Sequence, residues 1–216
     1  MQAGFPATVV GPAAAHGAVV VYGCRVGDHV VAGSPIALVW ADAGSIDAPR
    51  AERLADAGMR IGFERTFEQD VSFGVRQLVD IALRAMSPAL NDPYTAVQSI
   101  QHITVVLCAA VPQRPGPRLW CDGSGTARVL LPMPGLADLA CGQLRRSSAH
   151  EPRVIGALLT MLAETRRRSS GDADHAAIQR EIDLLHADAQ RAILQPADLA
   201  VVTENRQQFM SPHPRP

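Results

Sequence analysis

The feature that most constrains the fold is a series of helical apolar patterns after residue 63, most of them separated by prolines. In the first of these, apolar residues recur three or four positions apart, which is the spacing of one helix face. Its members are Phe67, Val71, Val75, Leu78, Ile81, Ala82 and Ala85. Five later segments are also predicted to be helices. The sequence therefore predicts a mainly α-helical domain over residues 63–208, with a short hairpin near 118–131.

Proline and capping residues set the boundaries of the predicted helices. The first helix is expected from Glu64 to near Met86, because the Ser-Pro pair that follows resists continuation of a helix. Asp92 is the expected N-cap of the second helix, whose first position is Pro93. The remaining expected boundaries are the end of the second helix near Ala110, two helices broken at 147–152, one that opens at Asp172 or Asp174, and one over about 198–207.

A small β-element is predicted before this domain. Residues 17–40 contain β-branched runs separated by Gly-Asp and Gly-Ser-Pro turns, which predicts three strands joined by two turns. The spacing of Val26, Gly27, Asp28, Val30, Gly33 and Ile36 resembles the hairpin of biotinyl and lipoyl-like barrels. The expected organisation is a β-element over 1–45, a connector over 46–62 with a short helix closed by Gly58, the helical domain, and a disordered tail over 209–216.

All twenty cationic residues are arginines, because the chain contains no lysine. Schiff-base chemistry, a P-loop and covalent attachment of pyridoxal phosphate, biotin or lipoate each require a lysine side chain. The sequence excludes these classes, and we expect no cofactor. The seven histidines have no HxH or HExxH spacing and the four cysteines form no CxxC pair, so we also expect no metal site.

Charge and hydropathy restrict the partners that the chain is expected to have. The net charge is −1 and no basic stripe is present, which argues against nucleic acid. The longest apolar run spans residues 103–111, about half of the roughly 20 residues that a membrane helix needs. The chain as given is therefore expected to be soluble.

A polar motif follows the connector, at residues 65–96: RTFEQDVSFGVRQLVDIALRAMSPALNDPYTA. It closely resembles the signature of a bacterial family of predicted membrane proteins, domain of unknown function 2254. The resemblance extends more weakly to residues 17–39 and 136–162. Family members usually carry several membrane helices before this region. The resemblance thus implies a membrane-associated parent chain, whose membrane helices would be partners of a soluble C-terminal part.

Nine residues of this motif form the candidate ligand-binding or structural network. On a helix, Asp80 lies four residues from both Arg76 and Arg84 and is expected to bridge them. A following turn adds hydroxyl, amide and carboxylate groups. The candidates are Arg65, Asp70, Arg76, Asp80, Arg84, Ser87, Asn91, Asp92 and Thr95. They can punctuate and cap the helices, bind an anion or a partner's backbone, or support catalysis.

The cues for catalysis are weak. Asp70 and Asp80 are ten residues apart, some 15 Å along a helix, too far for a carboxylate pair, and no GxSxG motif occurs.

The strand and helix patterns together predict an α+β protein in which a small N-terminal β-hairpin or barrel-like element docks on a mainly helical domain. The expected function is a non-enzymatic, self-associating or regulatory domain of a bacterial membrane protein. The alternative is a small-anion-binding domain or an enzyme that uses the Arg65–Thr95 motif. Because the first helix is apolar around most of its circumference, a homo-oligomer is expected.

Overall fold

A computed structural model describes residues 1–42, 44–67, 69–113, 118–131 and 136–210. The chain divides into two compact units. The sheet unit comprises Met1–Phe73 and Pro115–Pro134, and the helical unit comprises Gly74–Arg114 and Gly135–Pro216. The described residues combine small sheets with a majority of helix, which confirms the expected α+β class.

The sheet unit is built on a four-stranded sheet with the order β3-β2-β6-β5. β2 pairs antiparallel with β3 and parallel with β6, and β5 and β6 form an antiparallel hairpin. A separate antiparallel pair joins β1 and β4. The elements of this unit are β1 Ala3–Gly4, α1 Pro6–Ala15, β2 Ala18–Tyr22, β3 Ala37–Ala41, α2 Ala48–Ala57, β4 Met59–Arg60, β5 Arg118–Cys121 and β6 Ala127–Leu131.

One face of the four-stranded sheet forms the core of this unit. Alternate residues of β2 are buried, as the two-residue period of a strand requires when one face is covered. They pack with residues of β6 and with apolar side chains of the two helices. The cluster includes Val9, Ala13, Ala18, Val20, Tyr22, Leu54, Val129 and Leu131.

The structure differs from the expected β-element in three ways. Described residues 23–36 contain no strand, so the third strand predicted for residues 17–40 is wrong. Gly27 and Gly33 have φ values of 92° and 85°, which bend this segment into turns. The hairpin expected in the helical domain instead joins the sheet, since β6 pairs with β2. Helix α1, which contains Pro12, was not expected.

The helical unit packs its helices around a single apolar core. The elements are α3 Val71–Ala85, which begins in the last residues of the sheet unit, α4 Pro93–Ala110, a 3-10 turn Val111–Gln113, α5 Leu136–Ser148, α6 Pro152–Arg168, α7 Asp172–Ala192 and α8 Pro196–Met210. α6 lies at the centre and contacts α4, α5, α7 and α8. Its buried residues Ile155, Leu158, Leu159 and Leu162 form the middle of the core.

Several of the expected boundaries are confirmed. Asp92 caps α4 by accepting a hydrogen bond from the Thr95 backbone N–H, and Pro93 is its first residue. Gly58 closes α2. The predicted start of the first helix at Glu64 is wrong. Helix α3 begins at Val71, because the carboxylate of Asp70 accepts a hydrogen bond from the Phe73 backbone N–H and so caps the helix there. Of the expected tail, Phe209 and Met210 belong to α8 and residues 211–216 lie outside the described range.

Gly156 lies inside α6, and a Cβ atom built there would contact only Asn205 Nδ2, at 3.7 Å. We expect Gly156→Ala to raise the free energy of unfolding by about 0.5–1 kcal/mol, because alanine loses less backbone entropy in a helix. Urea denaturation measures the change. Gly125→Ala is a matched control: a Cβ there has no atom within 4 Å, but its φ of 83° should make the change destabilising. Two changes of the same sign would contradict this explanation.

Candidate functional site

The first residues of the polar motif form a compact cluster in the sheet unit, here called the Arg65 cluster: Arg65, Asp70 and Ser72. Asp70 is 3% exposed and is ion-paired with Arg65, whose Nη2 lies 2.7 Å from Asp70 Oδ2 and whose Nε donates to the same oxygen at 2.8 Å. Ser72 Oγ donates to Asp70 Oδ1 at 2.5 Å and accepts from Arg65 Nη2 at 3.2 Å. Each member therefore contacts the other two.

Asp70 also begins helix α3. Its Oδ1 accepts a hydrogen bond of 2.9 Å from the backbone N–H of Phe73, one of the N–H groups that a helix start leaves without an internal partner. The guanidinium of Arg65 lies 4.9 Å from the centre of the Phe73 ring, in cation–π geometry. The carboxylate thus serves an ion pair and a helix cap together, which explains why it is buried.

Gly27 packs directly against this ion pair. A Cβ atom at position 27 would lie 2.5 Å from Asp70 Oδ2 and 2.7 Å from Arg65 Nη2, and the residue has positive φ. Only glycine accommodates both conditions without a shift of the surrounding atoms. The Gly-Asp turn that the sequence places in the β-element therefore supports the Arg65 cluster.

Residues 61–67, here called the motif loop, include Arg65 and expose several apolar side chains. Phe63 is fully exposed, and Ile61 and Phe67 are more than half exposed. The Phe67 ring stacks on Phe73, with centroids 4.8 Å apart. The motif loop thus carries three exposed apolar side chains within seven residues, beside the Arg65 cluster.

A cleft of about 420 Å³ lies between the motif loop and the Gly27 turn, within the sheet unit. Its lining includes Arg65 with Asp28, His29 and Glu64. Because the Arg65 guanidinium already contacts Asp70, Ser72 and Phe73, an anion in this cleft would have to compete with a buried carboxylate. Charge in this cleft is thus balanced within the protein.

The arginine and aspartate ladder of α3 lies in the helical unit and is solvated. Arg76 Nε donates to Asp80 Oδ1 at 3.0 Å, and the two side chains are 45% and 42% exposed. Arg84 is exposed and makes no ion pair with Asp80 among the described residues. The expectation that Asp80 bridges both arginines is wrong, because each long side chain extends into solvent where pairing contributes little.

The turn after α3 uses its polar groups to begin α4. The Ser87 backbone oxygen accepts from the N–H groups of Leu90 and Asn91, and Asn91 has a φ of 44°, which asparagine tolerates. Asp92 Oδ2 accepts from the Thr95 hydroxyl at 2.5 Å. This hydrogen bond and one from the Thr95 N–H lower the pKa of Asp92. Ser87, Asn91, Asp92 and Thr95 thus stop one helix and cap the next.

The sequence patterns did not predict two clusters of buried charged side chains. In the helical unit, Arg145 pairs with Asp188, and its Nε lies 3.7 Å from Glu181 Oε2. Neither of those two atoms has a hydrogen-bond partner among the described residues. One feature of the sequence indicates this cluster: Glu181 lies between Ile178 and Leu185 on the apolar side of its helix.

The second cluster lies on the four-stranded sheet. Arg128 contacts Asp42 at 2.5 Å and Asp122 at 2.7 Å, and only 11% of the Arg128 side chain is exposed. Hydrogen bonds from Ser124, then from Arg128, lower the pKa of Asp122. The hairpin expected near 118–131 predicts a turn but not the burial of Arg128, because one of its two partners, Asp42, lies far away in the sequence.

Comparisons with known proteins identify relatives of the chain. Two uncharacterized proteins, one from Mycobacterium tuberculosis and one from Mycobacterium bovis, are each 37% identical over 182 residues. The match covers 82% of this chain but only 35% of each relative, so the chain spans about a third of their length. No solved structure matches the chain significantly.

The association of the parent protein with a membrane is indicated by a match to a family model and not by the described helices of this chain. None of the helices in the described ranges is both long and apolar enough to cross a bilayer. A family model described as "predicted membrane protein" matches residues 6–164, which includes the Arg65 cluster and the ladder. The chain therefore belongs to the DUF2254 family of predicted membrane proteins.

Proposed function

We propose that the chain is a non-catalytic domain of a membrane protein, that it lies outside the bilayer, and that it self-associates through the motif loop. The observation that carries this proposal is the apolar surface of the loop, where Phe63 is fully exposed beside Ile61 and Phe67. Exposed apolar patches of this kind mark interaction surfaces in folded proteins. Burial of the patch between two chains would remove it from water.

The pairing of the motif charges supports a role in contact rather than in chemistry. Arg65, Asp70 and Ser72 satisfy one another, and Asp92 and Thr95 cap a helix. An enzyme needs groups held ready for a substrate, whereas these groups hold the protein's own backbone. The Arg65 cluster keeps the motif loop in a fixed position, so that ordering the loop costs little when a partner binds.

A second copy of the chain is the partner that we propose. Helix α3 leaves Val71 and Ile81 close to half exposed, although the other apolar residues of the helix are more deeply buried. A two-fold axis would bring the same patch of two chains together, which is the commonest geometry of soluble oligomers. Attachment to a membrane would raise the local concentration of the parent chains and favour such pairing.

The test is the mass of the chain in solution as a function of concentration. We expect light scattering to show association at high micromolar concentration. Phe63→Ser should raise the dissociation constant about tenfold or more, because aromatic anchors dominate interfaces. Leu194→Ser is the matched control, since Leu194 is similarly exposed in the helical unit. A monomeric parent chain, or equal effects of the two substitutions, would contradict the proposal.

A further inference from the structure

A second concave surface lies within the helical unit and contains no residue of the motif loop. It is a groove of about 410 Å³ between the first turns of α4 and α6 and the side of α8. Tyr94 and Val97 line it from α4, Gly156 from α6, and Val201 from α8. Its volume falls within the range of about 300–1,000 Å³ typical of small-molecule sites.

The polar side chains of this groove are few, and one of them is charged. Arg153 and Asn205 are hydrogen-bond donors at its lining, and Arg153 is the one charged residue among the lining residues of the described structure. The Arg153 guanidinium lies 5.5 Å from the centre of the Tyr94 ring, and it makes no ion pair with a described carboxylate. The groove therefore offers an uncompensated positive charge at the edge of an apolar surface.

The nearby carboxylates have other roles. Asp92 caps α4 through Thr95, and Glu151 caps α6 by accepting from the Arg153 backbone N–H at 3.2 Å. Neither carboxylate belongs to the groove lining. The charge of the lining is thus set by Arg153, and a ligand of complementary chemistry carries an anionic group on an apolar body.

Gly156 keeps the groove open. A Cβ atom at this position would contact no atom closer than 3.7 Å, so no packing constraint requires glycine there. Glycine in the middle of a helix is nevertheless unfavourable compared with alanine. A larger side chain at position 156 would extend into the groove and occupy the space available to a ligand.

We propose that this groove binds a medium-chain fatty acid, with its carboxylate at Arg153 and Asn205 and its alkyl chain along Val97, Gly156 and Val201. At roughly 30 Å³ per non-hydrogen atom, the volume of one water in the liquid, the groove holds about a dozen such atoms. Decanoate has a matching size. This proposal is independent of self-association through the motif loop.

The test compares three ligands that share one alkyl chain and differ in the head group. Decanoate, decanol and decyltrimethylammonium are titrated into the full chain by calorimetry, below the concentrations at which they form micelles. We expect one decanoate per chain, bound about tenfold more tightly than decanol, because a charge-assisted hydrogen bond is lost with the alcohol. Decyltrimethylammonium should bind most weakly.

Substitutions then locate the site. Arg153→Gln should remove the preference for decanoate over decanol, whereas Arg146→Gln, which changes another exposed arginine, should leave it unchanged. Gly156→Leu should weaken both ligands at least tenfold while circular dichroism shows an intact fold. Absence of decanoate binding, equal binding of the three head groups, or tighter binding of the cation would overturn the proposal. It would also be overturned if Arg153→Gln left the preference intact, or if Gly156→Leu reduced self-association without changing ligand binding.

Discussion

Gly58→Ala should destabilise the sheet unit by about 3 kcal/mol or more, because it places a methyl group where the Tyr22 side chain already lies. A Cβ atom at position 58 would be 2.0 Å from Tyr22 Oη and 2.6 Å from Val9 Cγ2. Tyr22 is buried, and its hydroxyl donates to the Ala55 carbonyl at 3.0 Å. Val9 cannot move without loss of packing, and Tyr22 cannot move without loss of packing or of this hydrogen bond. Chemical denaturation measures the change in unfolding free energy.

A double-mutant cycle separates the clash from other effects of the substitution. Tyr22→Phe alone should cost about 1 kcal/mol, because the Ala55 carbonyl loses the tyrosine hydroxyl and keeps only the longer hydrogen bond from the Gly58 N–H. In the double variant the contact with the hydroxyl is absent and only the contacts with Val9 and the aromatic ring remain, so Gly58→Ala should cost less than in the parent chain without becoming neutral. A loss below about 0.5 kcal/mol for Gly58→Ala in the parent would refute the close contact of Gly58 with Tyr22.

Asp70→Ala should lower the free energy of unfolding by about 3 kcal/mol, at the low end for a broken buried ion pair because Arg65 remains partly solvated. The substitution removes the partner of Arg65, the acceptor of Ser72 and the cap of α3 at once. Thermal and urea denaturation measure the loss.

Asp80→Ala provides the matched control on the same helix. Within the described part of the chain its one ion-pair partner is the exposed Arg76, so we expect a loss of only a few tenths of a kcal/mol. Equal losses for Asp70→Ala and Asp80→Ala would show that the Arg65 cluster contributes no more than a surface pair.

Local chemistry made the start of α4 and the buried face of α7 predictable. Asp92 and Pro93 define the start of α4 because a carboxylate satisfies free N–H groups and proline needs none. Ile178, Ile182, Leu185 and Ala189 recur three or four positions apart in the sequence, as one helix face requires, and all are buried. These predictions depend on neighbours within a few residues, which a sequence displays directly.

Contacts between distant residues were not predictable from the same patterns. The sequence suggested that Asp80 would be the central aspartate of the motif, but burial of Asp70 depends on the approach of Gly27, more than forty residues earlier. The parallel pairing of β6 with β2 likewise joins residues 129 and 20, which no local spacing encodes. Arg145 and Glu181 were hidden for the same reason, since their pairing joins α5 to α7.

The most direct test of the account is amide hydrogen exchange of the motif loop at low and high protein concentration. If the loop is the surface through which two chains associate, exchange within residues 61–67 should slow as the concentration rises. In Phe63→Ser it should stay fast at the same concentrations. Exchange rates in this segment that do not change, although light scattering shows association of the parent chain, would contradict the account and place the contact elsewhere.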